Sequence, residues 1–198
     1  MPKIDAPTVA EHHSRRRAAL IDAGIAVIAE RGVDALTLGA VAAATGLARS
    51  SVYQYFDSAP ALIAAIVEGS FPAANDRLRA AVARAATPGE QVDAYVRTAI
   101  DLATDRTHRS LDALGTADLP AECRTRLAEL HQEQYATLHA AVSGLGITDP
   151  ELITRLLVGI VHAAAQAIVQ GASRRRVTSR TLALIHQGLD SKVGGPRQ

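Results

Sequence analysis

Between positions 49 and 55 the chain places Arg49, Ser50, Ser51, Tyr53, Gln54 and Tyr55 almost side by side. A guanidinium and a carboxamide each form paired hydrogen bonds with base edges, and hydroxyls and phenols bond phosphate oxygens. The set therefore suits nucleic acid rather than the making and breaking of bonds. The residues interleaved with it are apolar: Val52 and Phe56 stand four apart, and Leu38, Val41 and Ala42 share the same helical spacing upstream. Residues 37–56 are thus expected to form two short helices meeting at Gly46, where the chain must turn left-handed and a residue without a Cβ does so at least cost. Thr37 offers a hydroxyl that can cap the first helix or hold a phosphate.

At these residues the chain resembles the TetR family of one-component transcriptional repressors, whose helix-turn-helix closes on a tyrosine, two further positions and a phenylalanine, here Tyr53-Gln54-Tyr55-Phe56. The resemblance covers roughly the first third of the chain. It implies a DNA-binding N-terminal domain, C-terminal helices that pair into a homodimer, and remaining helices that enclose a small-molecule effector. Ala48 stands where the family often has a hydroxyl residue opening the recognition helix, which forgoes a cap of about 1 kcal/mol. Ala59 stands where a lysine often opens the next helix, so weaker or less salt-sensitive DNA binding than that of a lysine-bearing relative is expected.

A 198-residue chain that is 48% hydrophobic and 21% charged folds rather than remaining a disordered tail. Alanine is abundant, aromatics make up 3%, and β-branched runs are short, so the class expected is all-α. Bulk charge does not argue for DNA: the net charge is +1, and in the first 58 residues Lys3, Arg15, Arg16, Arg17, Arg31 and Arg49 are matched by Asp5, Glu11, Asp22, Glu30, Asp34 and Asp57. Placement does, because Arg15, Arg16 and Arg17 adjoin one another and can touch the DNA backbone. A lone Cys123 gives neither an intramolecular disulfide nor a thiolate metal site, in keeping with a cytoplasmic protein. The longest apolar stretch, residues 156–169, is interrupted by His162 and Gln166, and at about 14 residues is shorter than a membrane span.

The elements that must position the DNA-facing residues follow from stop and cap signals. Residues 1–13 are expected to be a mobile arm and 14–31 the first helix, stopped by Gly32. Ile21, Ile25 and Ile28 form its stripe, and Gly24 suggests close approach of another helix. Asp57 and Ser58 start a fourth helix with Pro60 in its first turn, ending near Gly69 or at Phe71-Pro72. The DNA-binding domain is placed at 14–70, an effector-binding and dimerisation domain at 71–191, and a tail at 192–198. In the second domain, helices over 120–143 and 149–170 carry two apolar sets: Leu127, Leu130, Leu138 and Val142, then Leu152, Leu156, Gly159, Ile160, Ala163, Ala164 and Ala167. These exceed the needs of one small core, so the two helices are expected to pair across a two-fold axis as a four-helix bundle.

Chemistry elsewhere is sparse. His162 and Gln166 lie one turn apart in an apolar segment and are expected as a buried polar pair, structural or lining an effector pocket. Tyr95 lies on an aliphatic face and could line the same pocket. His131 and His139 are eight residues apart, too far to share one ion on a straight helix, and the His12-His13 pair lacks a third ligand, so no metal or other cofactor is expected. No serine sits in a G-x-S-x-G turn and Cys123 has no neighbouring base, so an enzyme is not expected. The run Arg174-Arg175-Arg176 with Arg180 reads as a solvated helix connection. The function expected is a homodimeric, sequence-specific DNA-binding regulator, a repressor released from a palindromic operator by a small molecule, without a membrane partner. The alternative is a helical ligand-binding protein whose DNA binding is weak or lost.

Overall fold

The computed structural model describes residues 9–105 and 119–190. Among them are helices α1 (Val9–Arg31), α2 (Leu38–Thr45), α3 (Arg49–Tyr53), α4 (Ala59–Ala83), α5 (Pro88–Thr104), α6 (Ala121–Ser143), α7 (Pro150–Val169) and α8 (Arg174–Asp190), with a 3-10 turn at Val33–Ala35 and no strand. They form two compact units, residues 9–70 with 119–127 and residues 71–105 with 128–190. The start of α6 is grouped with the first unit and the rest of it with the second.

In the first unit, α1 is a clamp. Leu20, Val27 and Ile28 from α1, Leu38 and Val41 from α2, Val52 from α3, Phe56 from the following turn, and Leu62 and Ile66 from α4 are all at most 4% exposed. Gly24 suits this close packing: a Cβ there would lie 3.1 Å from Ile66 Cδ1 and 3.4 Å from Leu62 Cδ2, so those side chains would have to shift slightly. The helix also starts earlier than expected. Val9–His13, assigned above to an arm, are its first residues, and residues 1–8 lie outside the described ones.

Helix α4 is opened by Ser58 Oγ, which accepts from Ala61 N at 3.3 Å. It then runs through Gly69 and Pro72 to Ala83 instead of ending near them. Proline in a helix interior removes one backbone bond and costs about 3 kcal/mol. Phe71, Ala74 and Leu78 are buried to at least 96% around and beyond that point. Burying such side chains outweighs the local defect, which is why the stop signal is overridden.

The core of the second unit gathers Leu78, Val92, Val96 and Ile100 with Leu138, Val142, Leu157, Val161, Leu182 and Ile185. Helix α5 begins in a reciprocal cap: Thr87 Oγ1 accepts from Glu90 N at 3.3 Å while Glu90 Oε2 accepts from Thr87 N at 3.1 Å. Leu130, Leu138 and Val142 of α6 are buried inside this protomer, so that stripe is not left free to face a second copy. Helix α7 differs. Thr154, Leu157, Val161, Ala164 and Ala165 are buried, while Leu152 and Leu156 are 50% and 53% exposed and Gly159 and Ala163 also face outward. Leu184 of α8 is 58% exposed as well. Helix α7, 20 residues with a mean hydropathy of 1.8, is long and apolar enough to cross a membrane by length and composition, which corrects the expectation drawn from residues 156–169 alone.

Candidate nucleic-acid interface

The two-helix element is held from both ends. Thr37 Oγ1 accepts from Ala40 N at 3.0 Å, capping α2. At its other end Gly46 adopts φ 67°, and Leu47 N reaches back to Ala42 O at 3.0 Å. Ala48 then opens α3 with no side-chain cap, leaving only Ser51 N bonded to Ala48 O at 2.9 Å. Val52 and Phe56 pin α3 against the core. The opposite side presents Arg49, Ser50, Tyr53 and Gln54 as exposed residues and Ser51 and Tyr55 as half-buried ones.

Helix α3 is shorter than expected. It ends at Tyr53, Gln54 is its C-cap, and Tyr55 and Phe56 follow in a turn in which both N–H groups bond to Val52 O, at 3.0 and 3.1 Å. Two carbonyl bonds converging on one acceptor tighten the last turn. Gln54 remains exposed on the reading side, whereas Tyr55 is swung against α1, where its ring stacks on His13 with centroids 4.6 Å apart and planes 28° apart. Arg17 lies over Phe56, its Cζ 5.1 Å from the ring centroid. Arg49 donates to Tyr53 Oη at 3.2 Å and covers that ring at 5.6 Å.

The three adjacent arginines Arg15, Arg16 and Arg17 are all exposed, and Arg15 and Arg16 share one cleft. With His12, Ala19, Leu20, Thr45 and Leu47 these two line a surface cleft of about 320 Å³ with no acidic residue in its wall. Such a wall is suited to a phosphate. His13 is the participant that sequence reasoning missed: its contact with Tyr55 spans distant parts of the chain, and no periodic signal announces it.

The candidate effector residues do not come together. His162 and Gln166 are bonded to each other, Nε2 to Nε2 at 3.2 Å, but both are exposed on the outer face of α7. The expected buried pair is therefore corrected to a surface pair, because the inner face of α7 is supplied by Thr154, Leu157 and Val161 instead. Tyr95 is 5% exposed within the core cluster, and burial pushes its phenol up to about 12. A different residue carries an unmet bond. Asn75, 2% exposed, donates from Nδ2 to Leu130 O at 3.1 Å and to Glu133 Oε2 at 3.0 Å, while its Oδ1 is buried with no partner. The two acceptors fix the amide orientation, so this oxygen waits for a donor.

One cluster has the order of a hydrolytic triad. Ser143 Oγ lies 3.4 Å from His139 Nε2, and His139 Nδ1 lies 3.3 Å from Thr154 Oγ1 and 3.8 Å from Glu151 Oε2. The N–H groups of Gly144, Leu145 and Gly146 are all bonded to carbonyls of Ala140, Val142 and Ser143, so no donor pair awaits an oxyanion. Glu151 is held below the usual carboxylate range chiefly by its bond from Arg155. Among the described residues no group of three or more His, Cys, Asp and Glu side chains could hold a metal ion.

The comparisons meet this geometry at its centre. The family model for bacterial regulatory proteins of the tetR family matches residues 20–66, the span from the clamp helix through both short helices into α4. Residues 20–66 are thus similar to the N-terminal domain of tetR-family regulatory proteins. The chain is also similar to the HTH-type transcriptional regulator BetI of Rhizobium meliloti (strain 1021), 34% identical over 97 residues. That match spans 49% of this chain and 45% of the relative, so less than half of the relative's length is covered. Solved structures of transcriptional regulators share the fold. AibR in complex with isovaleryl coenzyme A and operator DNA aligns with TM-score 0.76 at 18% identity, covering 85% of this chain and 97% of that one. A TetR-family regulator of Streptomyces coelicolor, SCO4454, aligns with TM-score 0.75 at 19% identity, covering 93% and 96%. FadR from Bacillus subtilis, in complex with stearoyl-CoA, aligns with TM-score 0.73 at 19% identity, covering 86% and 98%.

Proposed function

We propose that this protein is a regulator of TetR type, a cytoplasmic homodimeric repressor that holds a palindromic operator and is released by a small organic effector. The observation that carries the reading is the capped and pinned pair α2–α3, which leaves Arg49, Ser50, Tyr53 and Gln54 exposed on one short element. Arg49, Ser50, Ser51 and Gln54 face base edges in the major groove. Thr37, Tyr53 and Tyr55 hold phosphates, and Arg15 and Arg16 add backbone contacts from α1. Arg17, exposed and lying over Phe56, is a third backbone contact in this reading.

The dimer contact in this reading is the outward face of α7 and α8, around Leu152, Leu156 and Leu184, rather than the α6 stripe. Glu151, Arg155, His162 and Gln166 on the outer side of α7 fit a contact between copies better than a lipid-facing surface. Two copies then set their recognition helices about 34 Å apart, one turn of B-DNA. The unmet acceptor on Asn75 supports a ligand bearing a hydrogen-bond donor in the second unit. Acyl-coenzyme A thioesters head the effector screen, since FadR and AibR carry them. No catalytic role is part of this reading.

The test is selection of bound sequences from a random duplex pool by the purified full chain, read with its mass in solution. Enrichment of a palindrome by a dimer establishes operator binding. A folded dimer that enriches nothing at low salt establishes the second reading, a ligand-binding protein with lost DNA binding, which the uncapped Ala48 favours.

A further inference from the structure

Two residues one helical turn apart on α1 grip two consecutive aromatic residues that follow the recognition helix. His13 stacks on Tyr55, and Arg17 lies over Phe56. Phe56 is buried and would hold its place by packing alone. Tyr55 is not: it is half-buried, beyond the last residue of α3, with its backbone N–H tied to Val52 O at 3.0 Å. The imidazole of His13 covers one face of its ring. Its neighbour Tyr53 has a separate tether, the bond from Arg49.

We propose that His13 is a positioning residue for DNA binding, holding Tyr55 so that its hydroxyl is already aimed at a backbone phosphate before the duplex arrives. This rests on the DNA-binding reading above. A phenol aimed in advance loses less rotational freedom on binding than one left free, and an aromatic stack of this kind changes affinity about three- to tenfold. A phosphate contact is blind to sequence, so the effect is uniform over operator and mixed-sequence DNA. It requires the ring of His13, and it acts only through Tyr55.

The experiment is a double-mutant cycle on the full chain. His13→Ala, Tyr55→Ala and the double variant are measured by fluorescence anisotropy on the selected operator and on a mixed-sequence duplex. His13→Phe serves as rescue, and thermal melting monitors the fold. Tyr55→Leu replaces Tyr55→Ala in the cycle if the alanine variant melts near the assay temperature. The expected result is that His13→Ala weakens both duplexes by about three- to tenfold, His13→Phe restores binding, and His13→Ala has no effect once Tyr55 is gone. An equal loss in both Tyr55 backgrounds overturns the proposal, because His13 then acts without Tyr55; failure of phenylalanine to rescue overturns it too. If the wild type binds both duplexes and every His13 variant binds as well, only the proposal falls. If the wild type binds neither at low salt, the DNA-binding reading falls and takes the proposal with it.

Discussion

Arg49 and Tyr53 are coupled across one turn of the recognition helix: the guanidinium donates to the phenol oxygen at 3.2 Å and lies 5.6 Å from the ring centroid. The pair leaves Arg49 held in a set direction on an exposed surface, where an arginine otherwise samples many rotamers.

That arrangement makes Arg49→Lys a sharp probe. Lysine keeps the charge but lacks the planar fork, so discrimination at the base Arg49 reads should fall by about 1 to 3 kcal/mol while the salt dependence of binding is retained. Gln54→Ala should likewise relax preference at one position. Repeating the sequence selection with each variant locates the two positions, and a uniform loss over all sequences would make either residue a backbone contact.

Thr37 caps α2, and substitution separates that task from the phosphate contact proposed for it. Thr37→Ala removes the cap on Ala40 N and should lower unfolding stability by about 1 kcal/mol, whereas Thr37→Ser keeps the oxygen and stays near wild type. Denaturant unfolding checks this. A loss of DNA affinity in the alanine variant at a temperature where it is fully folded would separate the phosphate contact from the cap.

Leu156, 53% exposed on the outward face of α7, is the position at which a charge should split the dimer. Leu156→Glu is expected to give a helical monomer with unchanged far-ultraviolet circular dichroism and no operator binding, since a single reading head covers too few base pairs. Sedimentation velocity and anisotropy on the same sample decide it. A dimer that persists would show that this face is not the contact.

Tyr95 predicts an alkaline limit. Its folded phenol titrates at about 12 against 10 for an ordinary tyrosine, so the folded state prefers the protonated form. The stability this provides is complete below pH 10 and disappears as pH rises from 10 to 12, on the order of 3 kcal/mol in all. Tyr95→Phe should flatten the fall over that window in chemical denaturation curves.

How much was legible in the chain divides along one line. Features written by adjacent residues were readable: Gly46 turns left-handed, Thr37 caps α2, Ser58 caps α4, and Gly24 admits Ile66 and Leu62. Features decided by partners far along the chain were not. Pro72 signals a stop, yet burial of Phe71, Ala74 and Leu78 carries α4 past it. The outer face of α7 mixes Leu152 and Leu156 with His162 and Gln166, so the apolar residues alone could not say which of its faces points inward. The turn at Gln54 and Tyr55 and its stack on His13 depend on α1 reaching back to Val9.

The proline in α4 also writes a pattern in time. Pro72 has no N–H to give to the Glu68 carbonyl, so the ladder of α4 lacks a rung at that point. Amide protons on either side of the missing rung are expected to exchange through separate local openings. Hydrogen exchange along this one helix should therefore show two protection levels with a step at the proline, where an unbroken 25-residue helix would show one smooth profile.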